Sequence, residues 1–240
     1  MKKEFVILVL LVIALFSCNK QKTGIEIDFS KKQQCKLSSI VDSVQTIQLE
    51  TSPEYLIGRV DAFYKDDGCL FIADKRQKTV FIFSENGKYI NKISSVGRGV
   101  GEYMSTTVVC LDKFKKRFNI YDEYQKKIIT YNYNGDFVAE RLLKDKMMMS
   151  SFCAFDNGHY LFMKPGYHPY YDNDIWEVDS LLNVVEVHKK HNSKYKFPLY
   201  QPNLFCGYGN KVSFYDFYEN KIYSINESKI QFVHKFHIKQ

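Results

Sequence analysis

The chain has 240 residues, a formal net charge of +7 and 16% aromatic residues, with 18 Tyr and 19 Phe. The positive excess raises a nucleic-acid partner, but Lys and Arg are scattered through the expected turns and outer strands, which argues against one. Aromatic and β-branched residues favour strands, and only residues 144–149 hint at helix, so a helical repeat is excluded.

At the N-terminus, Lys2 and Lys3 precede an unbroken apolar run over residues 5–16, followed by Ser17 and Cys18. A spanning helix needs about 20 apolar residues, so this run reads as a signal-peptide core. Leu15-Phe16-Ser17-Cys18 resembles the bacterial lipobox, with Leu three before the Cys and a small residue directly before it. Phe16 departs from the usual small or aliphatic residue. The resemblance implies that residues 1–17 are removed and that Cys18 becomes a lipidated first residue, the membrane anchor. Residues 18–36 then read as a polar, flexible tether. The tether has no acidic cluster of the kind that resembles surface-export signals. The expected place is therefore the cell envelope of a Gram-negative bacterium, lipid-anchored to the outer membrane on its periplasmic face.

From residue 37 onward one piece of strand chemistry returns four times. Leu70 to Asp74, Thr79 to Phe83 and Tyr89 to Ile93 form the first copy, and Arg117 to Asp122, Ile128 to Tyr131 and Phe137-Val138 the second. The third runs through Tyr160 to Met163, Ile175 to Val178 and Leu182 to Val185. The fourth runs through Val212 to Asp216, Lys221 to Ile225 and Ile230 to Val233. Asp74 and Asp122 are 48 residues apart and Asp122 and Asp216 are 94, two steps of 47, with the intervening copy's matching position near Lys164. Blades of four strands repeat at about 40–50 residues. The predicted fold is all-β: a β-propeller of four-stranded antiparallel blades over residues 37–240, with about four blades present. Runs such as Val80-Phe81-Ile82-Phe83 are apolar on both faces of a strand, as burial between neighbouring blades requires.

Asn86-Gly87 and Asn134-Gly135 supply the positive-φ residues of tight hairpins and join third to fourth strands. Asp67-Gly68, Asn157-Gly158 and Gly209-Asn210 mark turns between first and second strands. The innermost strands are then expected near residues 57–64, 106–111, 151–155 and 203–207, which places Cys110, Cys153 and Cys206 around the axis.

The recurrent Asp74, Asp122 and Asp216 could offer carboxylates to a metal or ligand, but the expected role is structural: an Asp at that point accepts the amides of its own turn. Asp172-Asn173-Asp174 resembles a scrap of a calcium loop without the later Gly and distal Glu. The cluster of Lys113, Lys115, Lys116 and Arg117 reads as a solvated hairpin turn. Beyond Cys18, the cysteines are Cys35, Cys69, Cys110, Cys153 and Cys206, an odd number without knuckle spacing, read as buried free thiols. His159, His168, His188, His191, His234 and His237 show no metal spacing, and no GxSxG elbow is present. No metal, cofactor or catalytic residue is assigned. The loop Val96-Gly97-Arg98-Gly99-Val100-Gly101-Glu102-Tyr103 stands out, but it opens no helix as a phosphate cradle would. Its glycines let the chain cross one end of the propeller, and Arg98, Glu102 and Tyr103 are the candidate binding residues.

This Gly-Arg-Gly-x-Gly-Glu-Tyr loop, the Phe-Ile-Ala-Asp strand ending at Asp74 and the lipobox at Cys18 together resemble the bacterial lipoprotein family called 6-bladed β-propeller, which is similar in pattern to NHL repeats. The resemblance runs from about Leu37 to the C-terminus. It implies that residues 40–50 form an N-terminal strand closing the ring on the last blade, and it transfers no catalytic residue. Six blades at about 47 residues need roughly 280, whereas residues 37–240 number 204. An incomplete or shortened ring is expected. Three functions compete: a lipid-anchored module binding a protein, peptide or glycan; a propeller hydrolase or lactonase with an axial metal near Asp61 or Asp112; and a degenerate or truncated fragment.

Overall fold

A computed structural model describes residues 24–28, 30, 31, 34, 36–144, 148–155, 158–164, 173–190, 205–208, 211–226 and 229–239. The expected signal segment, Cys18, Cys35, Asn157, His168, Asp172, His191 and the expected turn at Gly209-Asn210 fall outside the described residues, as do 145–147 of the stretch expected to hint at helix.

One short strand, β1 (Gly24–Asp28), precedes the repeats. The first blade holds β2 (Ala62–Asp66), β3 (Cys69–Asp74), β4 (Thr79–Ser84) and β5 (Tyr89–Ile93). The second holds β6 (Val108–Asp112), β7 (Arg117–Asp122), β8 (Lys127–Asn132) and β9 (Phe137–Leu142). The third holds β10 (Ser151–Ala154), β11 (Tyr160–Met163), β12 (Asn173–Val178) and β13 (Val184–Lys190). The fourth holds β14 (Phe205–Tyr208), β15 (Lys211–Asp216), β16 (Lys221–Asn226) and β17 (Lys229–Lys239). In every blade the strands pair in chain order, antiparallel throughout. These are the four propeller blades that the repeat predicts, and no ladder joins the first blade to the fourth among the described residues.

The blades stack through their side chains. On one face of the first blade, Phe71, Val80 and Ile82 pack against Val109, Phe118, Ile120 and Ile129 of the second. The second and third blades meet through Tyr121, Ile128, Phe162 and Trp176, and the third and fourth through Leu161, Ile175, Val212 and Phe214. In the first blade Val80 and Ile82 are buried against the second blade, while Phe81 and Phe83 are buried under residues 47–57, which is why Val80 to Phe83 carries no polar alternation. Each such side chain contributes about 1.5–3 kcal/mol by leaving water.

The added N-terminal strand is not where the family resemblance placed it. β1 runs parallel to β17 on the outer edge of the fourth blade, from Gly24 opposite Lys235 to Asp28 opposite Lys239, inside the segment expected to be a tether. Residues 40–50 form no strand. Their apolar side, Ile47 and Leu49, is satisfied by packing with Tyr55 and Ile57 over Leu70, Ile72, Phe81 and Phe83, the face of the first blade that no other blade covers. There Glu50 N–H donates to Gly87 O at 2.8 Å. Gly87 suits this contact doubly: its φ is +82°, and a Cβ would overlap the Gln48 carbonyl.

The turns follow their residues. Asp67 and Gly68 both have positive φ (47° and 71°), as a two-residue hairpin demands, and Gly135 reaches 88°. The innermost strands begin later than expected in the first two blades, at Ala62 and Val108; in the first, Gly58 N–H and Arg59 N–H are taken by the Asp74 side chain instead of a ladder. Cys110 and Cys153 lie on innermost strands, where burial pushes both thiols up and keeps them neutral. Cys206 also lies on an innermost strand but is exposed, so the buried-thiol reading fails there.

Candidate functional site

The sequence-predicted residues gather at the end of the propeller where second strands turn into third strands. Each of Asp74, Asp122 and Asp216 opens a five-residue turn whose last residue, Lys78, Lys126 or Asn220, sits at φ of 54°, 51° or 53°. Asp122 Oδ1 accepts the amides of Tyr124 (2.9 Å) and Gln125 (3.3 Å), and Asp216 Oδ1 accepts those of Tyr218 (2.9 Å) and Glu219 (3.2 Å). The second oxygen reaches out of the turn. Asp74 Oδ2 accepts Gly58 N–H and Arg59 N–H at 2.9 and 2.8 Å, and Asp122 Oδ2 accepts Met104 N–H at 2.6 Å. Each of these two carboxylates therefore fastens its turn to the segment that enters its blade. Burial opposes ionisation of Asp74 and Asp122, but the bonds they accept outweigh it and hold both below the ordinary carboxylate range. The third blade lacks this Asp; Lys164 takes the place, buried and paired with Asp174 at 3.1 Å. Asp174 also faces Lys189 at 3.5 Å, so the calcium-like Asp172-Asn173-Asp174 stretch has its described carboxylate neutralised by lysines.

Between β5 and β6 the glycine-rich loop crosses the same end. Gly99 N–H donates to Glu102 Oε2 at 2.7 Å, and a Cβ on Gly97 would overlap that carboxylate. Glu102 is thus folded into its own loop. The left-handed residue is Gly101, at φ +71°, against Phe137. Gly101 N–H donates to Glu140 Oε2 at 3.0 Å, and Lys127 Nζ donates to the same oxygen at 2.8 Å. The Lys127 bond and that amide hold the Glu140 carboxyl below its usual range. Tyr103 is fully buried, with its hydroxyl within hydrogen-bond distance of Lys78 O (2.8 Å) and Ile93 O (2.9 Å). Tyr131 OH donates to Gly101 O at 2.7 Å, and Gln125 Nε2 donates to Gly97 O at 3.1 Å. As a binding residue Tyr103 is out of reach; it and Glu102 shape the loop.

What this scaffold leaves at the surface is a cleft lined by Lys78, Arg98, Met104, Tyr124 and Gln125. Arg98 is exposed, and Tyr124 is 74% exposed. A guanidinium, an ammonium and an open aromatic face suit a ligand carrying a carboxylate or phosphate beside a flat or sugar-like body. Tyr124 was not a sequence candidate; its place two residues after a turn Asp was the available signal. Around the axis lies a second cavity, about 280 Å³, lined by innermost-strand residues including Tyr64, Asp66, Cys110, Phe152 and Cys153. The acidic residues proposed for an axial metal are occupied elsewhere. Asp61 pairs with Arg59 at 2.8 Å and accepts Lys75 N–H at 2.8 Å. Asp112 accepts Phe114 N–H, Lys115 N–H and the Tyr160 hydroxyl at 3.1, 3.0 and 2.9 Å. Residues that no spacing grouped, His159, Glu177, Glu186 and His188, come together in the third blade.

Among the described residues no helix is long and apolar enough to cross a membrane. Comparison with curated proteins returns no match. Among solved structures, the chain is similar to a protein of Bacteroides fragilis NCTC 9343 whose name describes it as exported. That likeness has 22% identity and a TM-score of 0.76 and covers 90% of this chain and 61% of the other. A DUF4221 family member from Bacteroides vulgatus ATCC 8482 matches at 12% identity and TM-score 0.50, over 76% of this chain and 59% of the other. The WD40 domain of Toxoplasma gondii coronin matches at 10% and 0.50, over 73% and 45%. These likenesses show the propeller fold, and the chain spans about three fifths or less of each of those proteins. A family model matches residues 22–240, and the chain accordingly belongs to DUF4934, a domain of unknown function.

Proposed function

We propose that this protein is a lipid-anchored envelope module that holds a protein, peptide or glycan in the cleft beside the glycine-rich loop and performs no catalysis of its own. The observation that carries the proposal is the division of labour in that loop. Glu102, Tyr103, Gly97 and Gly101 are bound into the scaffold, while Arg98 and Tyr124 remain at the surface of a cleft they share with Lys78. Rigid backbone presenting a cation and an aromatic ring is the economical way to bind an acidic ligand, because little ordering remains to be done on association. Similarity to an exported Bacteroides protein supports an envelope location, and the lipobox-like segment supports anchoring at Cys18 to the outer membrane, facing the periplasm. The likeness to six-bladed lipoproteins belongs to the same proposal. The axial-metal hydrolase reading gains nothing from Asp61 or Asp112, whose carboxylates are bound to structural partners.

The test uses the mature chain with Cys18 replaced by Ser for solubility, screened against acidic oligosaccharides and envelope peptides by calorimetry. A ligand should bind with 1:1 stoichiometry, and Arg98→Ala and Tyr124→Ala should each weaken it at least tenfold without changing the thermal midpoint. Binding untouched by both substitutions would remove this cleft from consideration.

A further inference from the structure

We propose that the third blade carries a divalent transition-metal site, suited to Zn²⁺, built from Glu177, Glu186 and His188, with His159 as the outer partner that orients Glu177. Glu177 lies on β12 and is buried. It is cross-strand partner to Leu161 on β11 and to Glu186 on β13. Because Leu161 belongs to the core between the third and fourth blades, Glu177 is on that face too. Glu186 and His188 lie two residues apart on β13, with His188 the extra residue at the register shift between Val187 and Lys189. One donor atom from each of Glu177, Glu186 and His188 lies within 4.8 Å of the other two. His188 Nε2 is 2.9 Å from Glu177 Oε2, and His159 Nδ1 is 2.5 Å from the other oxygen, Oε1.

Two carboxylates directly opposite each other on neighbouring strands repel, and the repulsion grows when one is buried. Here both converge on one point together with an imidazole. A divalent cation at that point turns the repulsion into attraction. The donor set selects its kind: imidazole nitrogen with carboxylate oxygen suits Zn²⁺ and its neighbours, whereas Ca²⁺ and Mg²⁺ take oxygen donors. Tetrahedral zinc at about 2.0–2.1 Å from its ligands places them roughly 3.4 Å apart. The exposed Glu186 side chain can supply the small inward movement. A metal bound there takes the place of the His188–Glu177 hydrogen bond, whose two atoms already lie 2.9 Å apart. His159 does for Glu177 what outer-shell partners do for metal ligands elsewhere, fixing the oxygen that binds. Three protein ligands are the number that leaves a zinc a fourth position for water or an incoming donor. The site lies at the opposite end of the second strands from the Asp74 and Asp122 turns, because His159 directly precedes β11 whereas those Asp residues end β3 and β7. It is therefore independent of the cleft proposed above.

The experiment uses the tag-free full chain, loaded with Zn²⁺, passed through a desalting column and analysed for metal, in parallel with Co²⁺ titration followed by visible absorption. One Zn²⁺ per chain is expected, together with Co²⁺ bands of a four- or five-coordinate centre that saturate at one equivalent. Glu186→Gln, a surface change that leaves the fold intact, should weaken binding at least tenfold. His188→Ala should abolish the Co²⁺ bands, and His159→Gln should weaken Zn²⁺ by about 10–100-fold, the usual cost of losing an outer-shell partner. Zinc below one tenth per chain, or binding that Glu186→Gln and His188→Ala leave unchanged while circular dichroism shows both folded, would overturn the proposal in favour of a His-Glu-His hydrogen-bond relay alone.

Discussion

Replacing Asp122 by Ala tests whether the recurrent turn aspartates hold the propeller's end together. The Asp122 side chain accepts bonds from Met104 N–H (2.6 Å), Tyr124 N–H (2.9 Å), Gln125 N–H (3.3 Å), Gln125 Nε2 (2.7 Å) and Ser105 Oγ (3.1 Å). Alanine leaves several of these donors without a partner in a site that water scarcely enters, Asp122 being 0% exposed. Bonds to a charged acceptor contribute about 1.5–3 kcal/mol each and do not add fully, so a loss of about 3–5 kcal/mol is expected. For a domain of this size that corresponds to roughly 6–20 °C in thermal midpoint. The effect also has a pH signature. The folded-state carboxyl is held below its ordinary range, since the bonds it accepts outweigh the opposing effect of burial. Its contribution is therefore fully present above the unfolded value of about 3.9 and is lost as pH falls through the folded pKa. Urea unfolding of parent and variant should differ by a constant amount between about pH 7 and 5 and converge below about pH 4. A difference under about 1 kcal/mol at pH 7, or one that persists unchanged to pH 3, would refute this account of the turn.

Gly101→Ala should destabilise by about 1–3 kcal/mol, because the residue sits at φ +71° and a Cβ would press on Phe137; urea titration showing a smaller loss would mean the loop relaxes freely. Ile82→Ala, at a fully buried position between the first two blades, should cost about 2–5 kcal/mol by the same assay. Cys18→Ser should remove an acyl mass detectable by mass spectrometry and shift the protein out of the membrane fraction; a variant that stays with the membrane would contradict lipid anchoring at that residue.

The features legible in the sequence are those that local chemistry dictates. Each turn Asp is set by the amides around it, the glycines of Asn86-Gly87 and Asn134-Gly135 by positive φ, and the doubly apolar runs by burial on both faces, so period and blade count could be read directly. The added strand could not. Gly24-Ile25-Glu26-Ile27-Asp28 alternates for only five residues, and its partner on β17 is more than two hundred residues away in a parallel ladder that no turn announces. Residues 47–49 carry an equally strandlike pattern, yet the uncovered face of the first blade captures them as packing.

The site divides in the same way. Arg98 could be named from a glycine-rich loop, but a Gly-Glu-Tyr sequence does not reveal which polar groups the scaffold absorbs. Only the geometry shows that Glu102 turns back to Gly99 and that Tyr103 is buried beneath the loop. The His159, Glu177, Glu186 and His188 cluster was illegible for a different reason. Its members come from β12, β13 and the residue before β11, and β12 and β13 shift register at bulges, so neighbours in space follow no fixed interval in the chain. The one local trace is Glu186-Val187-His188, two donors two residues apart on a strand, and its meaning depends on the buried Glu177 opposite Glu186. A strand motif of two potential ligands at alternate positions thus becomes informative only when the facing strand supplies a third.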